Sequence, residues 1–194
     1  MEQHVYIHGL NSSGKNNNTS KLIHDVLQHK NVVFSPTYQC DKTFDENMED
    51  LIDQIKANIK VTDSTIIFGS SLGGVYAERL AERLHTKCVL INPVVEKEQL
   101  KQFVGEQTSF VDGKRYQFTE QLIESYNFEK LNTIPTIVFA SNNDEVLTSN
   151  FDKVNQKYQH RAQVVQHFGG HRLSNVFKAF VDEVRMFENW FVAY

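Results

Sequence analysis

Ile66-Ile67-Phe68-Gly69-Ser70-Ser71-Leu72-Gly73-Gly74 sets three apolar residues against a Gly-x-Ser-x-Gly pentapeptide, and an amphipathic stretch, Val75 to Leu84, follows at once. The order is that of a strand, a sharp turn and a helix, with Ser71 at the apex. Such a turn strains the serine backbone so that its hydroxyl stands above the carboxyl edge of a sheet, and the flanking glycines leave room for it. At average glycine and serine usage the bare pattern arises by chance in about 6% of chains this long. It gains weight only if the rest of the chain supplies partners for the serine.

Outward from that turn, short apolar runs alternate with amphipathic stretches. Val5-Tyr6-Ile7, Val32-Val33-Phe34, Thr65 to Phe68, Lys87 to Ile91, Thr136 to Ala140 and a more polar run near Ala162 to Gln166 read as strands. A helix starting near Thr19 or Ser20 carries Leu22, Ile23, Val26 and Leu27 on one face. Thr43-Phe44-Asp45-Glu46 fits a capping box ahead of a helix with Met48, Leu51, Ile52, Ile55 and Ile59 in a stripe. In the helix after Ser71, Ala77, Leu80, Ala81 and Leu84 form the core stripe, and Glu78, Arg79, Glu82 and Arg83 are expected to face water. Further helices are expected over Phe151 to Tyr158 and from Val176 to Phe191. Strands alternating with helices in this way imply right-handed crossovers and a mostly parallel sheet of about six strands, covered by helices on both faces. Val94 to Thr133 breaks the rhythm and reads as an insertion or small cap with short helices around Lys97-Phe103 and Thr119-Tyr126.

Length and composition bound the rest. A chain of 194 residues with 40% hydrophobic and 23% charged residues fits one soluble domain over residues 1–194. The formal net charge of -4 and the lack of any Lys/Arg block argue against nucleic acid or an anionic membrane surface as a partner. Cys40 and Cys88 lack the spacing of a disulfide framework or a zinc site and read as structural thiols, and no metal or cofactor is called for. The first residues lack the basic and apolar regions of a signal peptide, and no apolar run approaches membrane-spanning length, so a cytoplasmic location is expected. Oligomeric state is open.

If Ser71 is a nucleophile, a base, an orienting acid and an oxyanion hole should lie at the carboxyl ends of strands, the acid after a later strand and the histidine after the last one. Asp144 follows the fifth strand in Ser141-Asn142-Asn143-Asp144-Glu145, and His171 follows the sixth in Phe168-Gly169-Gly170-His171. His171 would take the serine proton and Asp144 would fix its tautomer. His167 is the nearby competitor for the base, and Glu145 and Asp152 are competitors for the acid. His167 belongs to a strand, which favours His171. The backbone N–H of Leu72, at the start of the following helix, and that of Leu10, in the loop after the first strand, are the candidate oxyanion donors.

That loop contains a rival. Gly9-Leu10-Asn11-Ser12-Ser13-Gly14-Lys15 matches the G-x-x-x-x-G-K of a phosphate-binding loop. The residue that should bind Mg²⁺ is Asn16 rather than Ser or Thr, and no later strand ends in an acidic residue of the required kind, which disfavours a P-loop NTPase.

Taken together, His8-Gly9-Leu10-Asn11-Ser12-Ser13, Gly69 to Gly74, Asn92-Pro93, Asp144-Glu145-Val146 and Gly169-Gly170-His171 make the chain resemble the small α/β-hydrolase-fold esterases of the YqiA-like group over nearly its whole length. The resemblance implies a compact three-layer α/β-hydrolase fold with a reduced sheet and little lid. It also implies a serine esterase with Ser71 as nucleophile, Asp144 as acid and His171 as base, acting on a small-molecule ester. A thioesterase or acyltransferase would use the same machinery, and a non-catalytic binding protein could keep the fold without the chemistry.

Overall fold

The computed structural model describes residues 3–14, 18–27, 32–110, 112–129, 134–172 and 177–189. The chain runs through β1 (Gln3–Ile7), α1 (Asn18–Val26), β2 (Val32–Phe34), α2 (Phe44–Asn58), β3 (Ile66–Ser70), α3 (Gly73–Leu84) and β4 (Lys87–Ile91). A 3-10 helix at Lys97–Phe103 follows, then β5 (Gly105–Thr108), β6 (Arg115–Phe118), α4 (Glu120–Ser125), β7 (Thr136–Ser141), α5 (Asn150–Tyr158), β8 (Gln163–His167) and α6 (Phe177–Asn189). Six strands pair in the order β2-β1-β3-β4-β7-β8, every neighbouring pair parallel.

The apolar strands are buried on both sides because their residues alternate between two cores. Val5, Ile7, Ile67, Leu90 and Val138 join Met48 and Leu51 of α2, Leu80 of α3 and Val154 of α5 on one face. Tyr6, Phe68, Val89 and Phe139 join Ile23 of α1 and Phe180 and Val184 of α6 on the other. The three-layer fold expected from the alternation of strands and helices is therefore present. The capping box that opens α2 is formed: the Thr43 N–H donates to Glu46 Oε2 at 2.9 Å, and the Glu46 N–H reaches back to Thr43 Oγ1 at 3.5 Å. Cys40 and Cys88 are free and buried. Trp190 and Phe191, expected in the last helix, lie outside the described residues.

Two expectations are corrected. Glu78 does not face water but is 5% exposed. Its carboxylate meets residues of α5, accepting from the Tyr158 hydroxyl at 3.1 Å and facing Lys157 Nζ at 3.6 Å. Helical spacing puts residue 78 beside the Ala77–Ala81 stripe, so a second helix packed on that flank buries it. The segment from Val94 to Thr133 also holds more than short helices. β5 and β6 form an antiparallel hairpin in the register Gly105↔Phe118 to Thr108↔Arg115, and Phe118, Ile123 and Tyr126 are buried in the α2/α3 core. Among the described residues no helix is long and apolar enough to cross a membrane.

Candidate active site

Strand order places the site. From β1 the chain moves one way to β2 and then returns past β1 to β3, so loops from β1 and β3 diverge to opposite faces at the carboxyl edge, leaving the crevice in which open α/β sheets bind ligands. Ile7 pairs with Gly69 across this switch point, so Gly9 comes opposite Ser71. A Cβ built on Gly9 would lie 3.7 Å from the Ser71 hydroxyl oxygen.

Ser71 has φ +52°, the left-handed region that costs a non-glycine residue free energy. The turn is held from both sides. Its N–H donates to the Ile91 carbonyl at 3.0 Å, and its own carbonyl accepts from Gly74 at 3.0 Å and Val94 at 3.1 Å. The two outer glycines are required by packing, since a Cβ on Gly69 would meet that of Ala77 at 2.4 Å and one on Gly73 would meet the His8 carbonyl oxygen at 2.2 Å. Sequence thus dictates a close approach of α3 to the end of β1, which lifts Ser71 between the two loops. Among the described residues neither the Leu10 nor the Leu72 backbone N–H donates to another backbone group. Leu72 precedes the first turn of α3, where the helix potential is positive.

The loops after β7 and β8 meet. Asp144 Oδ2 lies 2.8 Å and Oδ1 3.0 Å from His171 Nδ1. The carboxylate only accepts, so Nδ1 carries the proton and Nε2 is left as the basic nitrogen. Asp144 is itself fixed, because Oδ1 accepts the N–H groups of Val146 at 2.9 Å and Leu147 at 2.7 Å. Glu145 does something different: its Oε2 accepts the His171 main-chain N–H at 2.9 Å. That bond, chiefly, holds the Glu145 carboxyl below its usual range. Asp152 is exposed in the first turn of α5.

One residue to which the sequence assigned no role of its own ties these loops together. Asn92, fully buried and at φ +43°, donates through Nδ2 to the carbonyls of Gly170 at 3.1 Å and His171 at 2.8 Å. Its Oδ1 accepts the Ser141 N–H at 2.7 Å and meets His167 Nε2 at 3.1 Å. Ser71 and His171 are thereby anchored on neighbouring residues, Ile91 and Asn92. His167 Nδ1 accepts from the Gly169 N–H at 3.2 Å, which makes Nε2 the protonated nitrogen of a neutral ring. Burial holds the His167 pKa below its ordinary value, partly opposed by the Asp144 charge. The ring is occupied as a strut, and His171, not His167, contacts Asp144.

His8 is a second residue whose role the sequence did not disclose. Its ring stacks on Tyr38 with centroids 4.3 Å apart and planes 3° apart, and Nδ1 donates to the Gly9 carbonyl at 2.8 Å. Burial pulls its pKa from 6.5 to about 4, partly offset by the Gly9 carbonyl. A neutral imidazole therefore braces the start of the β1 loop. Farther along, the Gly14 N–H is turned inward to Thr37 Oγ1 at 3.2 Å, and the Ser12 N–H to the Gly9 carbonyl at 3.3 Å. These donors are engaged by the chain itself, unlike the outward-facing amides of a phosphate cradle. Lys15, Asn16 and Asn17 lie outside the described residues.

Residues 3–188 match the family described as Uncharacterised protein family (UPF0227). The chain belongs to this family. It is the group whose motifs the sequence resembles. Solved structures with the same fold include Est1E from Butyrivibrio proteoclasticus, at 16% identity and TM-score 0.75, covering 100% of this chain and 89% of that one. The esterase domain of a Rhodothermus marinus protein matches at 21% identity and TM-score 0.66, over 97% and 85% of the two chains. A Paleococcus ferrophilus monoacylglycerol lipase matches at 13% identity and TM-score 0.67, over 96% and 93%. The fold of this family member is the α/β-hydrolase fold.

Proposed function

We propose that the protein is a serine hydrolase of short-chain carboxylic esters, working through an acyl-enzyme on Ser71 with His171 as base and Asp144 as its orienting acid. The observation that carries this reading is the Asp144–His171 hydrogen bond at 2.8 Å, in the loops after the last two strands of a sheet whose switch point holds Ser71 at φ +52°. The neighbours on this fold include esterases and a lipase, which agrees with it.

The reaction balances without a cofactor. As Ser71 Oγ bonds to the ester carbonyl carbon, its proton passes to His171 Nε2, and the imidazolium is stabilised by Asp144. The oxyanion is met by the N–H groups of Leu72 and Leu10. When the tetrahedral intermediate collapses, the carbon–alkoxy oxygen bond breaks and His171 returns the proton to that oxygen, releasing the alcohol. Water then repeats the cycle with His171 as base, releasing the carboxylic acid and restoring Ser71.

The test is labelling by a fluorophosphonate probe and hydrolysis of p-nitrophenyl butyrate, both abolished in Ser71→Ala. A folded wild type that is neither labelled nor active would overturn the reading. Faster turnover of an acyl thioester than of the matched oxygen ester would move the assignment to a thioesterase.

A further inference from the structure

The connection that follows β4 is fastened to Ser71, because the Val94 N–H donates to the Ser71 carbonyl at 3.1 Å. The next two residues, Val95 and Glu96, donate their N–H groups to Gln99 Oε1 at 2.7 Å and 3.3 Å. Gln99 belongs to the 3-10 helix Lys97–Phe103 and is 5% exposed. Its Nε2 donates in turn to Asn150 Oδ1 at 2.9 Å, and Asn150 is buried at the start of α5. From there the bonds lead back to the acid. The Asn150 N–H donates to the Leu147 carbonyl at 3.0 Å, and the Leu147 N–H donates to Asp144 Oδ1 at 2.7 Å. One turn along the 3-10 helix, Gln102 Nε2 donates to the Val146 carbonyl at 3.2 Å, and the Val146 N–H donates to Asp144 Oδ1 at 2.9 Å.

Local helix formation does not account for all of these bonds. Accepting the N–H groups ahead of a helix is ordinary for a glutamine three places in, and it uses only Oε1. The amide nitrogen of Gln99 is surplus to that task, and burying it costs free energy unless it finds an acceptor. The acceptor it finds is 51 positions away in sequence, on the segment that carries Asp144. The same two segments meet again where Lys153 Nζ of α5 pairs with Glu96 Oε1, a half-exposed contact that contributes little by itself. Asn92 already ties the end of β4 to the His171 loop. Gln99 and Gln102 tie the continuation of that same connection to the Asp144 loop, so both partners of the proposed nucleophile are hung from the strand end that holds Ser71.

Building on the esterase reading, we infer that Gln99 and Gln102 are positioning residues, which hold the Asp144 loop at a fixed separation from the Ser71 turn so that the carboxylate meets His171 Nδ1. The variants are Gln99→Leu and Gln102→Leu. Gln102 is exposed, so its variant should fold even where Gln99→Leu does not. In each, kcat on p-nitrophenyl butyrate should fall by about tenfold with KM nearly unchanged, the loss expected for one misplaced hydrogen bond. Nitrogen-15 NMR of histidine-labelled protein, with His171 assigned by its absence in His171→Asn, should show the Nδ1–H tautomer in the wild type and a mixture of tautomers in the variants. In an Asp144→Ala background the same substitutions should slow fluorophosphonate labelling by about twofold or less, because the group they position is gone. An unchanged kcat and tautomer in Gln102→Leu and in a folded Gln99→Leu overturns the inference. An equal fall in labelling rate with and without the Asp144 carboxylate also overturns it, since the glutamines would then act as general supports of the fold. A wild type that the fluorophosphonate leaves unlabelled brings down the esterase reading alone, because the tautomer still reports whether the helix sets Asp144 against His171.

Discussion

At the residue scale, two adjacent carboxylates take different jobs. Asp144 touches the His171 ring and Glu145 touches its main-chain N–H, so their substitutions should separate. Asp144→Asn can still accept or donate at Nδ1 but no longer enforces the tautomer or stabilises the imidazolium, and kcat on p-nitrophenyl butyrate should fall by about 10³–10⁴-fold. Glu145→Gln keeps an acceptor for the main-chain N–H and should cost about tenfold or less. The reverse order would move the acid to Glu145. Sequence favoured Asp144 as the acid and kept Glu145 as a competitor, because the two acidic side chains stand one position apart and only the loop's course decides which meets the ring. The φ of Ser71 yields a second test. Glycine tolerates the left-handed region and alanine does not, so Ser71→Gly should be more stable than Ser71→Ala by about 1 kcal/mol in urea denaturation, both being inactive. Equal stabilities would mean that the turn is not strained at that residue.

Asn92 shows what pattern reading leaves out. An Asn-Pro pair after a strand is an ordinary stop signal, and nothing local reveals that the side chain serves three strands' loops at once. Asn92→Asp keeps the acceptor facing Ser141 and loses the donor to the Gly170 and His171 carbonyls. Freed carbonyls and a buried carboxylate together should destabilise the fold by roughly 2–4 kcal/mol. At temperatures where the variant is still folded, kcat should fall with little change in KM, since the effect acts through the position of His171. A variant with normal kcat would show that the loop holds itself.

At the scale of elements, the β5–β6 hairpin is tied to the candidate site at the carboxyl edge of the sheet through Asn11. Asn11, at φ +60°, donates through Nδ2 to Gln107 Oε1 at 2.8 Å and accepts the Tyr116 hydroxyl, while its carbonyl accepts the Phe110 N–H at 2.8 Å. The hairpin thus grips the residue that follows Leu10, a proposed oxyanion donor. Asn11→Gly preserves the left-handed backbone and removes both side-chain bonds. It should lower kcat by about tenfold and speed amide exchange across the β1 loop, a loss comparable to one or two hydrogen bonds of positioning. Unchanged exchange and kcat would show that the loop does not need the hairpin. The helices and the six parallel strands were legible because period and burial coincide in them. The hairpin was not, because its strands, Gly-Glu-Gln-Thr and Arg-Tyr-Gln-Phe, present few apolar residues to alternate. The signal that was there is Asp112-Gly113, whose glycine adopts φ +69° in the turn. Glu78 escaped for a related reason: a helix's flank is polar or buried according to what packs there, which its own sequence does not state.

At the scale of the whole molecule, two neutral buried histidines couple stability to pH. His8 has its pKa drawn down to about 4 by burial, and His167 is lowered in the same direction. Above pH 6.5 both rings are neutral whether the chain is folded or not, so stability does not depend on them there. As pH falls below 6.5 the unfolded chain binds protons that the folded chain refuses, and stability is lost across the window down to about pH 4. A shift of 2.5 units at His8 corresponds to roughly 3 kcal/mol over that window, and His167 adds to it with the same sign. Urea denaturation should therefore give a midpoint that drops steadily between pH 6.5 and pH 4.5, with a slope near 1.4 kcal/mol per pH unit for each histidine that stays neutral. His8→Asn should remove about one proton from that slope while lowering stability at every pH, because the stacked ring against Tyr38 is lost. A slope unaffected by the substitution would mean that the β1 loop opens to admit the proton, and then the brace on Gly9, and the register it gives the loop opposite Ser71, could not be rigid in the acidic range.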